Sequence, residues 1–189
     1  GDEGSKKHLS IINNQIFEIS KLVNSFSDFA RMPKPIFEKN DILEIVNSSI
    51  ETYQLNYEKI KFIFKNLLTN TEIYCDKGQI NRALLNVYKN AIESIEEKSR
   101  DVLLDGKIIT ELSEDKKFYF ISIYDDGVGF KDSENFKHND PYFTTKKDGS
   151  GLGLSIVSKI VHEHNGQIFY ENRKKENGAL VSITIPKNI

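Results

Sequence analysis

Between positions 8 and 30 the apolar residues fall on one stripe: Leu9, Ile12, Ile16, Ile19, Val23, Phe26 and Ala30 are spaced alternately by three and four. That period predicts one helix with a narrow heptad seam, which is satisfied by a partner helix rather than by a broad core face. A helix of about three heptads is marginal alone in water, so the stripe reads as a bundle or dimer arm, with packing on the rest of the chain as the competing outcome. Met32-Pro33-Lys34-Pro35 ends it, because proline removes a donor and pushes its predecessor out of the α region. A hinge is expected there, dividing a residue 1–35 arm from a residue 36–189 body.

In the body, Asp41-Ile42-Leu43-Glu44 has the form of a helix cap, and Ile42, Ile45, Val46, Ile50 and Tyr53 share one face of a helix reaching about Tyr57. Short strands are expected at 61–65 and 72–75. Asp76 with Gln79 opens a second capped helix to about Lys98, with Ile80, Leu84, Leu85, Tyr88, Ala91, Ile92 and Ile95 inward. A hairpin follows at 107–112 and 117–125, the second strand alternating around Phe118, Phe120, Ile121 and Ile123. The polar stretch from Asp126 to Ser150 is longer than a connection needs, which suggests a functional lid. Leu152 to His164 is helical, and strands at 166–171 and 179–186 close the chain around Asn177-Gly178. Helices and antiparallel strands mix without strict alternation, so an α+β fold with helices on one face of a sheet is expected.

Composition narrows the function. The chain has 189 residues, with 26 Lys plus Arg against 28 Asp plus Glu, a net charge of −2 that offers no electrostatic footprint for nucleic acid. Cys75 is the single cysteine, so no intramolecular disulfide forms and a reducing compartment is expected. No apolar run approaches the ~20 residues that cross a bilayer. The chain opens on Gly1 and its one methionine is Met32, so a piece of a longer protein is expected.

Three elements carry candidate chemistry. Asp125-Asp126-Gly127-Val128-Gly129 stands at a strand end, where glycines admit close backbone approach and a carboxylate faces the space so made. Gly149-Ser150-Gly151-Leu152-Gly153-Leu154 leads directly into a helix, whose free N–H groups and dipole suit phosphate. Asn86 and Asn90 lie four apart on one helix face, although asparagine is a poor mid-helix residue; their amide oxygens suit Mg²⁺, which takes few protein ligands when phosphates supply the rest. A Walker A loop, the dinucleotide Gly-x-Gly-x-x-Gly spacing and the protein-kinase loop signatures are all missing.

Together these residues resemble the motif set of the histidine-kinase branch of the Bergerat-type ATPases. Asn86 to Ser94 is similar to its N box, Asp125 to Phe130 to the first glycine box, Pro141-Tyr142-Phe143-Thr144-Thr145-Lys146 to the F box, and Gly149 to Leu154 to the second glycine box. Phe26-Ser27-Asp28-Phe29-Ala30-Arg31-Met32-Pro33-Lys34-Pro35 resembles the end of the second dimerisation helix in NtrY-type nitrogen-regulation sensor kinases. The resemblance implies a two-layer α/β sandwich behind a long dimerisation-type helix, with ATP under a lid at about 131–149. Asp125 would accept from the adenine amino group, with Gly127 and Gly129 making room for the ring, and a carboxylate there repels the guanine oxo group. Asn90 would ligate Mg²⁺ with Asn86 assisting. Gly149, Ser150, Gly151, Leu152, Gly153 and Leu154 would line the triphosphate, while Lys89, Phe143, Thr144, Thr145 and Lys146 complete the nucleotide contacts, with Lys146 also catalytic.

The resemblance further implies transfer to a histidine and thence to the aspartate of an NtrX-like response regulator, in a homodimer joined through the first helix. The soluble part of a membrane-anchored sensor would be cytoplasmic. Water-splitting relatives of the gyrase and Hsp90 types carry a glutamate where this chain has Asn86; an amide takes no proton from water, whereas a neutral imidazole attacks without one being removed. The family's acceptor setting, His-Glu/Asp-x-x-Asn/Thr-Pro, is absent: His8 precedes Leu9-Ser10-Ile11, His138 lies in the lid, and His162 and His164 flank a helix end. An ATPase or anti-sigma-type serine kinase on the same scaffold, or a nucleotide-regulated dimerisation module, are the alternative readings.

Overall fold

Both expected caps form. Asp41 accepts from the N–H groups of Leu43 at 2.7 Å and Glu44 at 3.3 Å, and Asp76 accepts from Gln79 N–H at 3.0 Å, satisfying first-turn donors that have no partner inside a helix. A computed structural model of the chain describes residues 2–98, 105–130, 152–173 and 176–187. Its elements are α1 (Asp2–Ala30), β1 (Glu38–Asp41), α2 (Ile42–Gln54), β2 (Ile60–Asn66), β3 (Glu72–Cys75), α3 (Lys77–Lys98), β4 (Gly106–Glu114), β5 (Phe118–Asp125), α4 (Leu152–Glu163), β6 (Gln167–Asn172) and β7 (Ala179–Pro186).

Five strands form one sheet in the order β2-β4-β5-β7-β6. The expected hairpin is β4 against β5, and β6 against β7 closes the chain antiparallel. The antiparallel expectation needs one correction: β2 lies parallel to β4, with Phe62 opposite Ile108. The connection between them runs through β3 and α3, long enough to return the chain in the same direction. A second correction concerns β1. Glu38-Lys39-Asn40-Asp41 has no apolar residue to signal a strand, and it pairs antiparallel with β3 as a separate two-stranded sheet.

Strand β5 alternates strictly, so Tyr119, Ile121, Ile123 and Asp125 share the buried face. Above that face lie α2, α3 and α4, with α3 packed against both other helices and β5. This central position buries more of α3 than the seven-residue seam foretells: Ala83 and Val87 are also buried, and Leu85 is only half-buried. A hydroxyl pair, Tyr88 to Thr110 at 2.8 Å, joins α3 to β4 inside the core. Helix α4 ends with Asn165 at φ 55, where Asn165 N–H donates to His162 O and Gly166 N–H to Val161 O, the paired bonds of a Schellman stop. Buried His164 ties that end to the start of α3, its Nε2 accepting from Asp76 N–H at 3.1 Å while Nδ1 faces Ile160 O at 2.8 Å.

Helix α1 meets the body at its end. Phe29 packs against the core, its carbonyl accepts from Lys159 Nζ at 3.1 Å, and that ammonium stands 5.0 Å from the Phe29 ring centre. Upstream, Leu9, Ile12, Ile16, Ile19, Val23 and Phe26 are each 50–61% exposed. Among the described residues no helix is long and apolar enough to cross a membrane.

Candidate functional site

Asn86, Asn90 and Ser94 recur every four residues, so they line one face of α3 over about 12 Å. Two glycine-bearing segments distant in sequence pack onto that face. A β-carbon built on Gly153, in the first turn of α4, would lie 3.4 Å from Asn86 Oδ1 and 3.9 Å from Asn90 Oδ1. Asn86 Nδ2 donates to Arg82 O at 2.8 Å, which orients the amide and leaves its oxygen toward Gly153. One turn further on, Ser94 takes the strand-end segment: Val128 N–H donates to Ser94 O at 3.2 Å and Gly129 N–H to Ser94 Oγ at 3.3 Å. A β-carbon on Gly127 would stand 2.3 Å from Ser94 Oγ, so the close approach requires glycine.

Asp125 closes the face at the end of β5 and is 5% exposed. Its Oδ1 accepts from Gly127 N–H at 2.9 Å and Ala179 N–H at 3.3 Å, while Oδ2 takes no hydrogen bond from any described residue. Burial pushes the carboxyl up to about 6; the two backbone donors pull it down, neighbouring Asp126 adds to the rise and the Arg173 guanidinium opposes it.

The structure thus brings Asn86, Asn90, Asp125, Gly127, Gly129 and Gly153 onto one continuous surface. Leu152, the first residue of α4, is buried and Leu154 is half-buried. Lys89 points along the outer side of α3, 65% exposed, with Nζ 3.9 Å from Glu93. Phe143, Thr144, Thr145, Lys146, Gly149, Ser150 and Gly151, with the F box and lid, lie outside the described residues. Ser94 closes the N-box stretch with no motif role of its own, although its four-residue step from Asn90 announces the shared face. Asn172 and Arg173, which hold the strand-end segment from β6, carry no motif at all.

These residues fit a nucleotide and its cation: a buried acceptor at one end, the amides of Asn86 and Asn90 at the other, with the Asn86 oxygen oriented, and a glycine in front of them where a side chain would fill the space. Residues 75–189 match the family described as histidine kinase-, DNA gyrase B-, and HSP90-like ATPase, and the chain belongs to it. It is an ATP-binding module of the histidine-kinase type. The NtrY-like sensor histidine kinase of Rickettsia felis is 33% identical over 181 residues, 96% of this chain and 29% of that protein. Nucleotide-free catalytic domain of histidine kinase ThkA is 30% identical with TM-score 0.68, over 80% of this chain and 96% of that one. ThkA in complex with the response regulator TrrA is 26% identical with TM-score 0.73, over 100% of this chain and 53% of that chain. The chain spans less than a third of the length of the NtrY-like relatives it matches.

Proposed function

We propose that this chain is the catalytic part of an NtrY-like sensor histidine kinase, which moves the γ-phosphoryl group of ATP to a histidine outside this sequence and from there to the aspartate of an NtrX-like response regulator. The observation that carries the reading is the single α3 face that presents Asn86 and Asn90 to Gly153 and Ser94 to Gly127 and Gly129. Asn90, assisted by Asn86, would hold Mg²⁺, whose charge offsets that of the phosphates. Asp125 holds the base through Oδ2, and the backbone at Gly153 grips the tail. With Asn86 in the place of a general base, the chain positions and neutralises but does not activate water. Lys146 would reach the terminal phosphate from the lid. The intact sensor would be anchored in the membrane with this part in the cytoplasm.

The deciding experiment mixes the chain with a separately made helical hairpin bearing an acceptor histidine, Mg²⁺ and γ-labelled ATP. Acid-labile label on the hairpin is expected. Steady phosphate release at the same rate without the hairpin would instead indicate an ATPase.

The exposed α1 seam supports a homodimer through that helix. Ile19→Asp or Val23→Asp is expected to weaken self-association at least roughly tenfold, because each sets a charge in an apolar seam. Sedimentation equilibrium reads this, and an unchanged mass distribution would mean that the seam is no interface.

A further inference from the structure

We propose that Asn172 and Arg173, at the end of β6, form a positioning bracket that sets the purine-recognising segment Asp125–Phe130 in register with α3. The proposal rests on the reading of this surface as the ATP site and adds two residues that belong to none of its motifs.

Asp125 and Asp126 anchor the start of the segment through their own carboxylates, Asp126 Oδ1 accepting from Lys107 N–H at 2.9 Å, but Gly127 and Gly129 have no side chain to do the same, so the rest is held by its neighbours. Ser94 holds the middle from α3. Asn172 holds the far end: its Nδ2 donates to Phe130 O at 2.9 Å and its Oδ1 accepts from Phe130 N–H at 2.7 Å. One amide thereby meets both backbone groups of one residue, as a neighbouring strand would. Turning the amide over would set donor against donor and acceptor against acceptor, so a single orientation is allowed. Gly129, at φ 75, would carry a β-carbon only 2.6 Å from Asn172 Oδ1, which shows how closely the bracket grips. The Phe130 ring meets Tyr170 edge-on, centroids 6.0 Å apart.

Arg173 holds the near end. Its Nη1 donates to Asp125 O at 3.2 Å, its backbone N–H donates to Gly178 O at 3.0 Å, and its guanidinium carbon lies 6.0 Å from the centre of the Tyr124 ring. Glu176 pairs with the same guanidinium, which is 17% exposed. Among the described residues, the charged groups near the Asp125 carboxyl are Arg173 just after β6, its partner Glu176, adjacent Asp126, and Lys98, whose Nζ donates to Asp126 O at 2.5 Å from α3. Arg173 opposes Asp126 and favours the ionised carboxylate that an exocyclic amine requires.

The test titrates this chain with Mg-ATP and Mg-GTP across pH 5 to 8 (a range of about three units around the raised carboxyl) and records ligand-free melting. Asn172→Ala is expected to weaken ATP binding roughly tenfold and to shrink the preference for ATP over GTP several-fold. Asn172→Asp, which keeps the acceptor for Phe130 N–H but opposes an oxygen to Phe130 O, is expected to do the same and serves if the alanine variant folds poorly. Arg173→Gln is expected to move the acid midpoint of ATP binding upward, and Arg173→Lys to bring it back. An ATP-over-GTP ratio unmoved in both Asn172 variants, or an acid midpoint unmoved in Arg173→Gln, would overturn the bracket while wild-type ATP binding persists. Wild-type protein that binds neither nucleotide would remove the site reading itself, and the bracket with it.

Discussion

Asp125→Asn is expected to weaken ATP binding roughly 10- to 150-fold while the ligand-free chain melts no lower than wild type at neutral pH; that loss corresponds to about 1.5–3 kcal/mol for one charge-assisted hydrogen bond. The substitution separates two duties of one side chain. Oδ1 serves the fold by accepting from Gly127 and Ala179 N–H, and an asparagine oxygen can do the same. Oδ2 serves the ligand, and an asparagine NH₂ in its place confronts the adenine amino group with another donor. Asp125→Ala would confound the two, since it also strands two backbone donors. Calorimetric titration with Mg-ATP checks this, and wild-type affinity in the asparagine variant would mean that the base is held elsewhere.

The same carboxyl makes binding pH-dependent. Because it titrates at about 6 in the folded chain, ATP affinity is expected to be level above that pH and to fall toward tenfold per unit below it. Stability responds with the opposite sign. The folded-state value lies above the ordinary 3.8, so this group's stabilising contribution is complete below about pH 4 and is lost as pH rises through about 6. Both limbs should vanish in Asp125→Asn.

Gly127→Ala is the second large effect, and it should strike fold and site together. Its β-carbon would stand 2.5 Å from the backbone carbon of Ser94 as well as against the hydroxyl, so no rotamer change relieves the clash. The segment must lift from α3, breaking the bonds from Val128 and Gly129 to Ser94. A loss of about 1–3 kcal/mol is expected for such overpacking, read as a lower urea midpoint at unchanged slope, together with weakened ATP binding. Gly153→Ala is the contrasting control. Its methyl has room, 3.4 Å from Asn86 Oδ1, and so should spare stability while crowding the face that meets the phosphates.

Much of this molecule could be read along the chain because its signals are local. The α1 seam, the Asp41 and Asp76 caps, the alternation of β5 and the four-residue step from Asn86 to Asn90 each depend on neighbours within a turn or two, where backbone geometry dictates which residues share a face. Which face of β5 turns inward was less plain, since of the expected Phe118, Phe120, Ile121 and Ile123 only the two isoleucines share the buried face with Asp125. Folding alone settled the rest. The parallel pairing of β2 with β4 and the existence of β1 depend on which edges a distant segment offers. The raised carboxyl depends on what helices cover it, and the grip of Asn172 and Arg173 on Asp125–Phe130 joins residues more than forty positions apart. A periodic pattern tells a residue which way to face, but desolvation and long-range hydrogen bonds belong to the neighbours it meets there, and those are chosen by the packing of the whole chain.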